Sequence, residues 1–115
     1  MKFWKNGEVP KAPYYAVIFV SEKSNQLEGY AAMDELTLKL AVEQEGFLGY
    51  ESVNNGNTGI FISYWQSPEA IDNWRKNEIH KQAKSGGIHW YNRYLSQICK
   101  VEYSNEYINP QNQPV

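Results

Sequence analysis

"GFLGYESVNNGNTGIFISYWQSPEA", residues 46 to 70, decides the fold. Gly46 is suited to stop a preceding helix as a C′ glycine. "FLGYESV", 47 to 53, reads as a strand. "NNGNTG" follows, a turn in which Asn and Gly can take positive φ, and it feeds straight into "IFISYW", 60 to 65. The pair is therefore a hairpin. Ser67 before Pro68 is an N-cap with proline at N1, and Glu69 suits the positive end of a helix that starts there.

Upstream, "YYAVIFV", 14 to 20, is an unbroken β-branched and aromatic run, the pattern of a central strand covered on both faces. "SEKSNQ" supplies capping groups, and the spacing predicts a helix from Leu27 to about Gln44. Tyr30, Met33, Leu36, Thr37, Leu40 and Ala41 form its apolar stripe, while Asp34, Glu35, Lys39 and Glu43 point elsewhere. Residues 1–13, with Gly7, Pro10 and Pro13 among charges, read as an extended arm.

Downstream, Ala70, Ile71 and Trp74 share a helix face, but Ile79 and Ala83 lie well round the cylinder from them. A break near Lys76 and Asn77 is expected, with a second short helix ending at "SGG", 85 to 87. "IHWYNRY" is a connector into a last strand from about 93 to 104, and residues 105–115 form a polar tail.

The order strand, helix, strand, strand, helix, strand is the split βαβ pattern of an α+β, ferredoxin-like βαββαβ domain with a four-stranded antiparallel sheet. One domain spans the 115 residues. Two helices cover one face of such a sheet, yet apolar residues occupy both parities: Phe61 and Trp65 alternate with Ile60, Ile62 and Tyr64. A face this apolar is not left to water. A homodimer is expected, two sheets packing face to face as a dimeric α+β barrel.

Charge excludes some partners. The 11 basic and 13 acidic residues give a net charge of -2, so neither nucleic acid nor an anionic membrane surface is a natural partner. No apolar run approaches a membrane span, and "MKFWKNGEVPKAP" has no signal-peptide h-region, so a cytoplasmic protein is expected. The lone Cys99 forms no internal disulfide, and no Cys and His spacing suggests a metal site. Aromatic residues make up 15% of the chain, enough to fill a small core and still wall a pocket for something flat.

"GFLGYES", "SYWQSPEAIDNW" and "IHKQA" together resemble the antibiotic biosynthesis monooxygenase family, within a superfamily of dimeric α+β barrels. They are most similar to a branch of small uncharacterised bacterial proteins, and Gly46, Phe47, Trp65, Ser67, Ala70, Trp74, His80, Trp90 and Tyr91 carry the resemblance. It implies a monooxygenase that oxidises an aromatic small molecule with O₂ and needs neither flavin nor metal, the substrate carbanion supplying the electrons. Related members degrade haem with a strand-one Asn, a helix Trp and a His ten residues further on. Here Trp74 matches, but Lys84 stands at the His position and "YYAVIFV" holds no Asn. Haem is thus at most a ligand, and the alternative function is a non-catalytic dimeric binder of a hydrophobic small molecule or haem.

His80 is the candidate catalytic base, because imidazole exchanges a proton near neutral pH and the positive end of the second helix favours its neutral form. Trp74 is the candidate flat wall for an aromatic ligand. Trp65, Tyr64, Tyr50 and Trp90 complete the substrate-binding candidates, with a filled core as the competing role for each. His89 and Glu51 are lesser candidates.

Overall fold

The computed structural model describes residues 1–77 and 89–112. The elements are β1 (Lys2–Trp4), β2 (Tyr14–Lys23), α1 (Tyr30–Val42), β3 (Phe47–Asn55), β4 (Thr58–Trp65), α2 (Pro68–Arg75) and β5 (Tyr91–Val101). A short 3₁₀ turn, Pro110–Asn112, follows. The strands form one antiparallel sheet in the order β1-β3-β4-β2-β5. Without β1 this is the ferredoxin-like order, with the two most apolar strands, β2 and β4, at its centre.

The sheet has five strands where four were expected. Lys2–Trp4, in the expected arm, pairs with β3 in the register Lys2↔Glu51, Phe3↔Tyr50, Trp4↔Gly49. Gly49 has no Cβ, which would meet Phe3 O and the Trp4 ring at 2.5 Å, so the arm lies close against the bare backbone.

The hairpin turns at Gly56, whose φ is +62°. Ser67 caps α2 by accepting from the Ala70 N–H at 3.1 Å. α2 ends at Arg75 with Lys76 as its cap, where the apolar phase was expected to break. The second helix expected after it lies outside the described residues.

α1 differs in its ends. It starts after Gly29, at φ +80° and with no side-chain cap, and the Ser24 hydroxyl donates to His89 O and accepts from Gln26 N in the loop before it. Glu43 is its C-cap, and Gly46 sits three residues on at φ +87°. A Cβ at Gly46 would stand 2.6 Å from Ala70 Cβ, so this glycine lets α2 close down on the turn after α1.

Register sorts the side chains by face. Tyr15↔Trp65, Val17↔Ser63, Phe19↔Phe61 and Ser21↔Gly59 are cross-strand pairs on the helix side. Under α2 the core gathers Ala41, Phe47, Trp65, Ala70, Ile71 and Trp74. Trp65 is wholly buried, edge-on to Phe47 at 5.4 Å and stacked on Trp74 at 6.4 Å. Burial of side chains this large is worth about 1.5–3 kcal/mol each. The opposite face pairs Ile18 with Ile62 and Val20 with Ile60, and adds Val53 and Leu95, so both faces are apolar. Among the described residues no helix is long and apolar enough to cross a membrane.

Candidate functional site

A cavity of about 260 Å³ lies between the helix side of the sheet and the two helices. Register gives it a direction. Trp65 and Ser63 lie towards one end, the Phe19 and Phe61 rungs form the floor, and Ser21 with Gly59 marks the other end. From the Val17 row to the Ser21 row is four residues of strand, about 13 Å.

The first end is largely apolar, although Arg75, next to Trp74 at the end of α2, also lines the cavity. Trp65, Trp74, Ile71, Ala41, Val17 and Ile98 line it. The indole N–H of Trp65 donates to Ser63 Oγ at 2.9 Å, which satisfies a buried donor and fixes the ring.

The second end is polar. Lys23 reaches along β2 so that its Nζ donates to Asn54 Oδ1 at 3.2 Å and lies 5.6 Å from the Tyr30 ring centroid. Both groups lie over Gly59, where a Cβ would be 2.6 Å from Asn54 Oδ1 and 3.1 Å from Lys23 Nζ. Among the described residues Lys23 has no ion pair.

Asp34 and Thr37 reach the same space from α1. Asp34 keeps one flank in solvent, yet its carboxyl is raised above the ordinary carboxylate range, chiefly by burial and against the pull of Lys23. Burial also raises the phenols of Tyr30 and Tyr91, which hydrogen-bond to one another, so both are protonated donors at neutral pH. Thr37 Oγ1 is buried with no hydrogen-bond partner among the described residues, and a buried hydroxyl is rarely left so.

Trp65, Trp74 and Trp90 line the cavity. The Trp90 N–H donates to Glu28 O at 2.9 Å, and its ring meets Tyr30 edge-on at 5.6 Å. Tyr50 faces the helix side, stacked on Phe61 at 5.6 Å and outside the cavity lining. Tyr64 lies on the other face, 4.8 Å from Trp4, with its hydroxyl donating to Glu51 at 3.3 Å. His80 lies outside the described residues.

Lys23, Asp34 and Asn54 were missed as site residues. The signal for Lys23 was parity, since it shares a face with Val17, Phe19 and Ser21. For Asp34 it was helix phase: the stripe is centred on Tyr30, Thr37 and Ala41, which turns Asp34 to the cavity and leaves Leu36 41% exposed, a reversal of the expected assignment.

Residues 13–85 match the family model for antibiotic biosynthesis monooxygenases. The chain is 44% identical over 97 residues to the uncharacterized protein YqjZ of Bacillus subtilis (strain 168), covering 83% of this chain and 85% of that one. SnoaB, a cofactor-independent oxygenase from Streptomyces nogalater, superposes with a TM-score of 0.67 at 10% identity, over 86% of this chain and 99% of that one. NE2512, a protein of unknown function from Nitrosomonas europaea, gives 0.69 at 10% identity, over 87% and 100% of the chains. At such identities these two superpositions speak for the fold alone.

Proposed function

The chain belongs to the antibiotic biosynthesis monooxygenase family, and from that premise we propose that it is a cytoplasmic homodimer that oxidises a small electron-rich aromatic compound with O₂ in the cavity between sheet and helices. The observation that carries this is the pairing of a tryptophan-walled space with a carboxyl, Asp34, whose affinity for protons is raised. At about 260 Å³ the cavity falls just below the roughly 300 Å³ at which ligand pockets commonly begin. That volume suits one or two fused rings and is small for a porphyrin.

The chemistry needs no organic cofactor or metal. With a naphthol as substrate, the phenolic proton passes to Asp34, and the ring carbon of the anion combines with O₂ to give a hydroperoxide. Loss of water then leaves a carbonyl. One atom of O₂ ends in the quinone and the other in water, so 1-naphthol and O₂ give naphthoquinone and H₂O with the substrate supplying all the electrons. The chain's part is to hold the ring over Phe19 and Phe61, to take the proton at Asp34, and to keep bulk water from the carbanion. His80 enters this scheme as a second proton carrier.

The apolar outer face of the sheet supports the dimer, since Ile18, Val20, Ile60, Ile62 and Leu95 share it. Oxygen uptake with 1-naphthol tests the reaction. Wild-type protein should consume O₂ above the uncatalysed rate, and Asp34→Asn should reduce the rate by a factor on the order of 10². No uptake by wild type with 1-naphthol or an anthrone, or no loss in Asp34→Asn, would overturn the reading.

A further inference from the structure

The polar end of the cavity is built more elaborately than proton removal from a plain phenol requires. Lys23 donates to an amide oxygen and, among the described residues, meets no carboxylate within ion-pairing distance. A partly buried ammonium with one neutral hydrogen-bond acceptor retains unused donors, and its charge is met by Asp34 only beyond ion-pairing distance. The glycine at position 59 is what allows Lys23 and Asn54 to lie flat over β4, and Thr37 Oγ1 on α1 lacks a partner. Lys23 and Asn54 come together from β2 and β3 where the aromatic floor of Phe19 and Phe61 ends, and Thr37 of α1 lines the same cavity.

We infer that this end is an anion subsite, and that the ligand is an aromatic hydroxy acid whose carboxylate is held by Lys23 while its ring lies over Phe19 and Phe61 towards Trp65. The inference rests on the aromatic-ligand reading above and adds the acidic substituent. The geometry suits it. The roughly 13 Å from the Ser21 row to the Val17 row leaves room for two fused rings and a carboxylate in line. Asp34 feels the Lys23 charge but forms no ion pair with it among the described residues, so its carboxyl is left to accept the neighbouring hydroxyl of the ligand while the ammonium takes the carboxylate. Thr37 is one turn further along the same helix, away from Lys23, and its hydroxyl can donate to the ligand hydroxyl. A carboxylate gains most from an ammonium where water is partly excluded, so charge at this end would discriminate strongly between an acid and its neutral analogue.

The test is equilibrium binding of 1-hydroxy-2-naphthoate and its neutral amide, 1-hydroxy-2-naphthamide, followed by quenching of tryptophan fluorescence. Wild type should bind the acid at least ten-fold more tightly than the amide. Lys23→Met should lose about ten-fold for the acid and be unchanged for the amide, and Lys23→Arg should recover part of the loss. Asn54→Asp, which places a carboxylate against the ammonium, should weaken the acid in the same way and serves if Lys23→Met is poorly folded. Equal binding of acid and amide, an effect of Lys23→Met that is the same for both, or no quenching by either probe would overturn the inference. Binding is read without turnover, so the two proposals fail separately. Tight, Lys23-dependent binding with no oxygen uptake removes the oxygenase and leaves the subsite, while uptake with 1-naphthol alongside equal binding of the acid and its amide does the reverse.

Discussion

Lys23 Nζ and Asn54 Oδ1 meet at 3.2 Å over the bare backbone of Gly59. A methyl group at position 59 would stand 2.6 Å from the amide oxygen and 3.1 Å from the ammonium, and both are ends of side chains that can swing away. Gly59→Ala is therefore expected to change stability by only about 1 kcal/mol. It should nevertheless weaken binding of 1-hydroxy-2-naphthoate several-fold, because the two groups can no longer lie flat. Thermal melting and fluorescence titration of the one variant check both halves.

Trp65 and Trp74 stack yet should answer differently to truncation. Trp65 is wholly buried and anchored by Ser63, so Trp65→Ala should cost about 3–5 kcal/mol. Trp74→Phe keeps a ring in the core and should cost much less, while lowering affinity for naphthol-sized ligands by removing part of the wall. Chemical denaturation beside ligand titration separates the roles. Equal stability losses with unchanged affinity would make both rings simple core.

Alkaline pH should destabilise the protein through its buried phenols. Burial, then the charge of Glu51 and the hydrogen bond to it, push Tyr64 from 10.0 up to about 12. Its folded value thus lies above its unfolded one, so the native state holds the extra proton between those limits. The stabilisation is complete below about pH 10 and is lost as the pH rises towards about 12. Tm measured from pH 9 to 12 should fall, and Tyr64→Phe should flatten part of that slope. The remainder belongs to Tyr30 and Tyr91, both raised by burial.

The outer face of the sheet predicts a mass in solution of twice the 13.3 kDa chain. Ile62→Glu places a second carboxylate opposite Glu51 and beside Ile18 on that face, and should give a folded monomer at micromolar concentration. Sedimentation equilibrium reads both, and a monomeric wild type would refute the assembly.

The hairpin and the start of α2 were legible because their signals are local. Gly56 turns the chain, and Ser67 with Pro68 opens the helix through a hydrogen bond four residues long. β1 was not legible, since "KFW" is too short to show a period and its pairing depends on Gly49 lying more than forty residues away. The tryptophans of the site could be named from the sequence because their bulk leaves few other places for them. Lys23 and Asp34 could not. Each reads as a solvated charge, Lys23 at the end of a strand and Asp34 on a helix whose stripe was phased one position off. Only the approach of α1 to β2 brings the two into one space.

Crystals soaked with 1-naphthol test the central claim most directly. The account predicts electron density for the ring over Phe19 and Phe61, beside Trp74, with its hydroxyl towards Asp34. Density absent from that cavity, or found only on the outer face of the sheet, would contradict it.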